Sequence, residues 1–194
     1  MKKLKSTLPN MVIVLGLITA LTALLLASVY IVTKEPIENS KQKKLNSAIE
    51  EVIVGTDHTK EYKVKDINST DSLIFYDAFD KSENFLGTAV QTFDKEGFGG
   101  EIILLVSFNE DGNIIKTFAL EQLETPGLGD KISNSKSDFY KQFENKNPKE
   151  FTLMVKKDRG DVDAITAATI SSRAYCRAVQ KAVDAYNAEK GGEK

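Results

Sequence analysis

The sequence predicts an α+β protein: one N-terminal transmembrane helix, then one domain with a largely antiparallel sheet flanked by helices. Three observations predict it. Residues 11–32 hold no charge across 22 positions. Five short β-type runs follow, and Asn109-Glu110-Asp111-Gly112 between two of them is a hairpin signal. The chain then finishes on a stretch with helical spacing of apolar residues.

At about 1.5 Å per residue, the uncharged run is long enough to cross a ~30 Å hydrocarbon core. It exceeds the roughly 7–15 apolar residues of a cleaved signal peptide, and Ala27-Ser28-Val29 is a poor cleavage site. It therefore reads as an uncleaved anchor. Lys2, Lys3 and Lys5 precede it and Lys34, Lys41, Lys43 and Lys44 follow it. The count on the two sides is nearly even, and the positives nearest the membrane favour a cytoplasmic N-terminus, with residues 1–10 as a short tail. The domain beyond then lies on the extracytoplasmic side of the inner (plasma) membrane, as a single-pass protein.

Residues 33–54 read as a helical stalk opened by Pro36, with Leu45, Ala48, Ile49, Val52 and Ile53 on one stripe. Residues 55–194 form the domain. Its β-type runs are 62–67, 73–79, 85–93, 101–108 and 114–121. A short helix is expected over 133–143 and a further strand over 151–156. The last helix begins near Ser171 or Ser172 and buries Tyr175, Ala178, Val179, Ala182, Val183 and Tyr186, with Gly191-Gly192 past its end.

Composition removes several function classes. The formal net charge is −2, and three of the 26 basic residues precede the anchor. The remainder is net acidic and unsuited to nucleic acid. Cys176 is the single cysteine, so neither an internal disulfide nor a cysteine-held metal cluster can form. His58 is the single histidine, in a polar loop, and reads as a surface residue. No metal site is expected.

Three segments carry candidate chemistry. Gly97-Phe98-Gly99-Gly100 lets backbone approach a ligand at Gly99 and Gly100, or simply turns. Glu124-Thr125-Pro126-Gly127-Leu128-Gly129 suits a type II turn. It also offers a carboxylate, a hydroxyl and an exposed apolar side chain, as a ligand loop or a plain connection. In residues 163–172 small side chains surround Thr169 ahead of a helix N-terminus, where free N–H groups favour a phosphate. Capping of that helix by Ser171 or Ser172 accounts for the same residues without a ligand.

Taken together, these segments resemble the FMN-binding domain of RnfG, a membrane-anchored component of the Rnf electron-transport complex. The homologous FMN-binding component of the Na⁺-translocating NADH:quinone reductase is a related family. The resemblance runs from the anchor to the final helix, most specifically in ETPGLG and in the D-x-x-S/T-G/A-A-T flavinylation motif. It implies FMN bound covalently by a phosphoester to Thr169, installed by a flavin transferase from FAD. Asp163 and Thr166 match positions the transferase reads; Ala168 and Ser171 flank the acceptor. Glu124, Thr125, Gly127 and Leu128 match the loop near the flavin, and Lys156 a basic residue close to it. Ala167 stands where the motif most often has Gly, and Gln122 where a His often precedes the Glu. The implied function is electron relay, without a substrate of its own, in a ferredoxin:NAD oxidoreductase complex that translocates Na⁺ or H⁺. The alternatives are the quinone-reductase homologue, an FMN-domain protein serving another membrane electron-transfer chain, and a cofactor-free, membrane-anchored structural subunit.

The orientation is testable. A cysteine replacing Lys95, in a Cys176→Ser background, should react with a membrane-impermeant thiol reagent in intact cells; labelling only after lysis reverses the topology.

Overall fold

A computed structural model describes residues 7–66 and 71–191. Lys2, Lys3, Lys5, Ile67 and Gly192 of the expectations above lie outside them. The chain forms two compact units, one up to Lys44 and one from Leu45 onward.

The first unit is helical. Helix α1 spans Leu8–Val52, and its apolar part is long enough to cross a membrane. Residues 11–32 are exposed all round the helix, as lipid contact requires. Their hydroxyls turn back onto the helix's own carbonyls: Thr19 Oγ1 donates to the Leu15 carbonyl at 3.0 Å and Ser28 Oγ to that of Leu24 at 2.8 Å. Such bonds satisfy a hydroxyl where no water is present. Pro36 lies inside α1 and does not start a new helix. A proline there forgoes one bond, to the carbonyl four residues back, and the helix continues through it.

In the second unit five strands form a meander: β1 (His58–Lys65), β2 (Ser72–Phe79), β3 (Phe85–Asp94), β4 (Ile102–Phe108) and β5 (Ile114–Glu121). Each pairs antiparallel with the next, in the order β1-β2-β3-β4-β5. The hairpin turn at Asn109–Gly112 closes through the Gly112 N–H on the Asn109 carbonyl at 3.0 Å. His58 opens β1 with its ring stacked on Phe79, 5.4 Å between centroids.

Side chains alternate across the sheet, and each face has its own cover. Leu73, Phe75, Val90, Leu104, Val106 and Phe108 meet helix α2 (Thr169–Lys190). Tyr76, Ala78, Ala89, Leu105 and Leu120 meet Ala48, Ile49, Val52 and Ile53 at the end of α1. The apolar stripe of the stalk is thus half of a core. Buried hydroxyls tie both layers: Thr92 Oγ1 donates to the Ala178 carbonyl at 2.9 Å and Ser107 Oγ to that of Val52 at 3.0 Å. Each such bond contributes about 0.5–1.5 kcal/mol net.

Two expected elements differ. Residues 133–143 make no α-helix; 3-10 turns at Gly129–Ile132 and Phe139–Phe143 flank an irregular stretch. Its short polar side chains take up backbone partners that a helix would need. Ser137 Oγ donates to the Lys131 carbonyl at 2.6 Å, and Asn134 bridges to β5 through Ala119 and Thr117. Residues 151–156 make no strand. The edge of β5 is already engaged by Asn134, Asn145 and Lys146. Leu153 and Val155 go into the core from an irregular segment, with one parallel bridge from Val155 to Val162.

Cys176 sits in the α2 core at 2% exposure, and burial pushes its thiol up to about 12. The thiolate is the reactive form. The folded protein should therefore take up no maleimide at pH 7 while a cysteine at position 95 does. Unfolding should add one label; native labelling of Cys176 would contradict this packing.

Candidate functional site

The three segments singled out in the sequence converge at the N-terminus of α2. Gly97–Gly100 follows β3, residues 122–129 follow β5, and residues 163–168 lead into the helix. They enclose a cavity of about 320 Å³ lined by Phe98, Glu124, Thr125, Leu128, Gly129 and residues 167–171.

Two turns shape opposite walls. Leu128 N–H bonds the Thr125 carbonyl at 3.1 Å, with Gly127 at φ 79°. Pro126 before such a glycine makes this a type II turn. Asp130, buried, accepts the Gly127 N–H at 2.7 Å and fixes the tip. On the other side Ala168 N–H bonds the Ile165 carbonyl at 3.0 Å across Thr166-Ala167. Ala167 there has φ 61°. A positive φ at the third position of a turn suits glycine, which explains physically why a Gly is the commoner residue of that motif.

Glu124 joins the walls. At 5% exposure, its carboxylate accepts the Gly99 N–H at 3.1 Å and the Ser171 hydroxyl at 2.6 Å. A Cβ on Gly97 would lie 2.6 Å from one carboxylate oxygen, and one on Gly129 2.5 Å from the other. The glycines are therefore the space the carboxylate occupies. Gln122 Oε1 accepts the Glu124 N–H at 2.6 Å.

Helix α2 starts at Thr169, two residues before the expected start, and its N-cap Ala168 supplies no side-chain cap. Neither serine caps it. Ser171 is committed to Glu124, while Ser172 Oγ accepts the Ile165 N–H at 2.9 Å and donates to the Ala168 carbonyl at 3.0 Å. The first backbone N–H groups of the helix thus open beside Thr169, where an anion is favoured. The helix is held in place by two bidentate pairs. Arg173 binds Asp158 at 2.6 and 2.7 Å, and Arg177 binds Asp94 at 2.8 Å twice. The hydrogen bonds from Arg173 hold the Asp158 carboxyl below the usual carboxylate range.

Of the expected site residues, Glu124, Thr125, Leu128, Ala168, Thr169 and Ser171 line the cavity. Gly127 shapes the turn, and Gly99 acts through its N–H. Gly100 closes its own turn back to Gly97 at 3.4 Å. Thr166 is exposed beside the cavity. Lys156 pairs with Asp163 at 2.7 Å, and neither lines the cavity. Phe98, Gly129, Ala167 and Ile170 lie in the segments singled out but were not among the expected site residues. Phe98 (69% exposed), Leu128 and Ile170 give the mouth an apolar rim. A phenylalanine among glycines, and an isoleucine beside Thr169, were the available signals.

The sequence matches known proteins along nearly the whole chain. Residues 97–184 match the FMN-binding domain family, and residues 1–52 match the RnfG N-terminal region. The G subunit of the ion-translocating oxidoreductase complex of Shewanella piezotolerans is 32% identical over 96% of this chain and 92% of its own. That of Shewanella baltica is 33% identical over 89% and 88%. The chain belongs to the RnfG family. Among solved structures, NqrC of Shewanella oneidensis is 21% identical, with a TM-score of 0.45, covering 69% of this chain and 64% of that one. The region of this RnfG-family protein that matches the FMN-binding domain contains all three cavity segments.

The turn at Ala167 gives a stability prediction. Left-handed backbone costs a non-glycine residue about 1–2 kcal/mol, and the extra unfolded-state freedom of glycine offsets about 0.5–1 of that. Ala167→Gly should raise unfolding free energy by about 0.5–1 kcal/mol in urea titration. A lower value would show that the Ala167 methyl contributes packing that outweighs the relief.

Proposed function

We propose that this RnfG-family protein relays electrons through FMN held covalently on Thr169, within a membrane-bound ferredoxin:NAD oxidoreductase complex that translocates ions. The observation that carries this reading is the position of Thr169. It is the first residue of an uncapped helix, on the wall of a cavity with an apolar rim.

The residues fit the group. A phosphate esterified to Thr169 would meet the open N–H groups and positive end of α2. Phe98, Leu128 and Ile170 offer apolar surface for a flat ring system, and the Thr125 hydroxyl offers a polar contact. FMN supplies one-electron and two-electron redox chemistry; the protein binds it, orients it and limits water around it. In attachment by a flavin transferase, the Thr169 hydroxyl loses its proton, its oxygen bonds the FMN phosphorus of FAD, and AMP departs. Asp163 and Thr166 are both exposed, which is compatible with their being read by that enzyme.

The partners follow from membership in a complex: its other membrane and peripheral subunits, plus the transferase during maturation. The anchor α1 would hold the domain on the extracytoplasmic face, where a covalent tether prevents loss of a scarce cofactor. The match to the RnfG N-terminal region favours this assembly over the quinone reductase.

Thr169→Ala tests the attachment. Co-expressed with a flavin transferase, the wild type should show a fluorescent band after denaturing electrophoresis, and the variant none, with its thermal unfolding near that of wild type. A variant band as bright as wild type would move the acceptor to Thr166, Ser171 or Ser172.

A further inference from the structure

We propose that Glu124 is a positioning residue: it makes no bond to the flavin and instead sets the spacing between the helix N-terminus and the two ring-facing loops. This rests on the proposed function, in which the cavity takes the flavin.

Glu124 lines the cavity, yet both oxygens of its carboxylate are engaged inside the protein. One accepts the Gly99 N–H at 3.1 Å and the other the Ser171 hydroxyl at 2.6 Å. Gly99 belongs to the loop that carries Phe98, and Ser171 lies two residues beyond Thr169. Glu124 itself begins the loop that carries Leu128. One side chain thus links the three segments that bear the rim, and the missing Cβ atoms of Gly97 and Gly129 leave it the space it occupies. Among the described residues no lysine, arginine or histidine forms an ion pair with it. A buried carboxylate without a cation depends on its hydrogen-bond donors. Loss of either donor should therefore loosen the whole clamp, including the segment on the far side. Ser171 and the 97–100 loop then become coupled through Glu124.

The test uses the full chain in detergent, in two forms. Unflavinylated protein is compared by hydrogen-exchange mass spectrometry as wild type, Ser171→Ala, Glu124→Gln and the double variant. Ser171→Ala should speed exchange at residues 97–100 roughly 2- to 12-fold, the factor expected for one lost hydrogen bond. The double variant should be no faster there than the faster single variant. Unchanged exchange at 97–100 in Ser171→Ala, or effects that simply multiply in the double variant, would overturn the proposal. Ser171→Ala suits a helix and decides the matter alone if Glu124→Gln does not fold.

Flavinylated protein is then read per attached flavin. Ser171→Ala changes no charge, so a shift of midpoint potential together with weaker visible circular dichroism marks a displaced ring. Values equal to wild type in a folded, flavinylated Ser171→Ala would also overturn the role. Absence of flavin from the wild type itself would instead overturn the reading of the cavity, leaving the exchange result to judge the clamp.

Discussion

The site depends on how the buried Glu124 side chain is satisfied by hydrogen bonds without a cation. Glu124 is almost wholly removed from water and faces a backbone N–H, a serine hydroxyl and the first turn of a helix. Burial of a polar side chain without partners is costly, and these hydrogen bonds offset that cost. The donors come from residues 25 and 47 positions away. The bonds can form only when β3, β5 and α2 already stand in their places. The carboxylate therefore reports on the assembled fold, and the cavity geometry follows from it.

The sheet supplies that placement. An antiparallel meander needs only short connections, so β3 and β5 flank β4, and the loops that leave them emerge beside the helix start. Helix α2 is fixed against this frame by its buried face and by Arg173 and Arg177. The opposite face of the sheet is closed by the end of α1. The residues from Leu45 to Ile53 thus complete the domain's second core, and removing them would expose Tyr76, Leu105 and Leu120. The globular unit accordingly begins at Leu45, inside the helix that the sequence assigns to a stalk.

Two of the turns that build the site each hold a residue at positive φ. The turn at Thr125–Leu128 uses the one residue type that tolerates its geometry without strain, whereas the turn at Ile165–Ala168 holds an alanine at positive φ. The compensation lies close by. Ser172 bonds both the Ile165 N–H and the Ala168 carbonyl, so the strained turn is pinned at each end by one hydroxyl. A serine in that role is unavailable as a conventional N-cap, and the helix begins without a side-chain cap.

The sequence by itself determined the elements whose signals are local. The uncharged run, the β-type runs, the Asp-Gly hairpin and the 3.6-residue stripe of the last helix all follow from the character of neighbouring side chains. So did the three loop segments, because glycine, proline and small residues mark backbone that must turn or make room. What only the tertiary structure decided is how those segments combine. Residues 133–143 lost a helix because their serines and asparagine found partners in β5 and nearby loops. Residues 151–156 lost a strand because the sheet edge was already occupied. Ser171 reads as a helix cap in one dimension, and in three it belongs to Glu124. Phe98 and Ile170 became rim residues only through the meeting of two loops with a helix start. Local polarity sets what a segment can form; the competition among distant partners for each donor, acceptor and open edge sets what it does form.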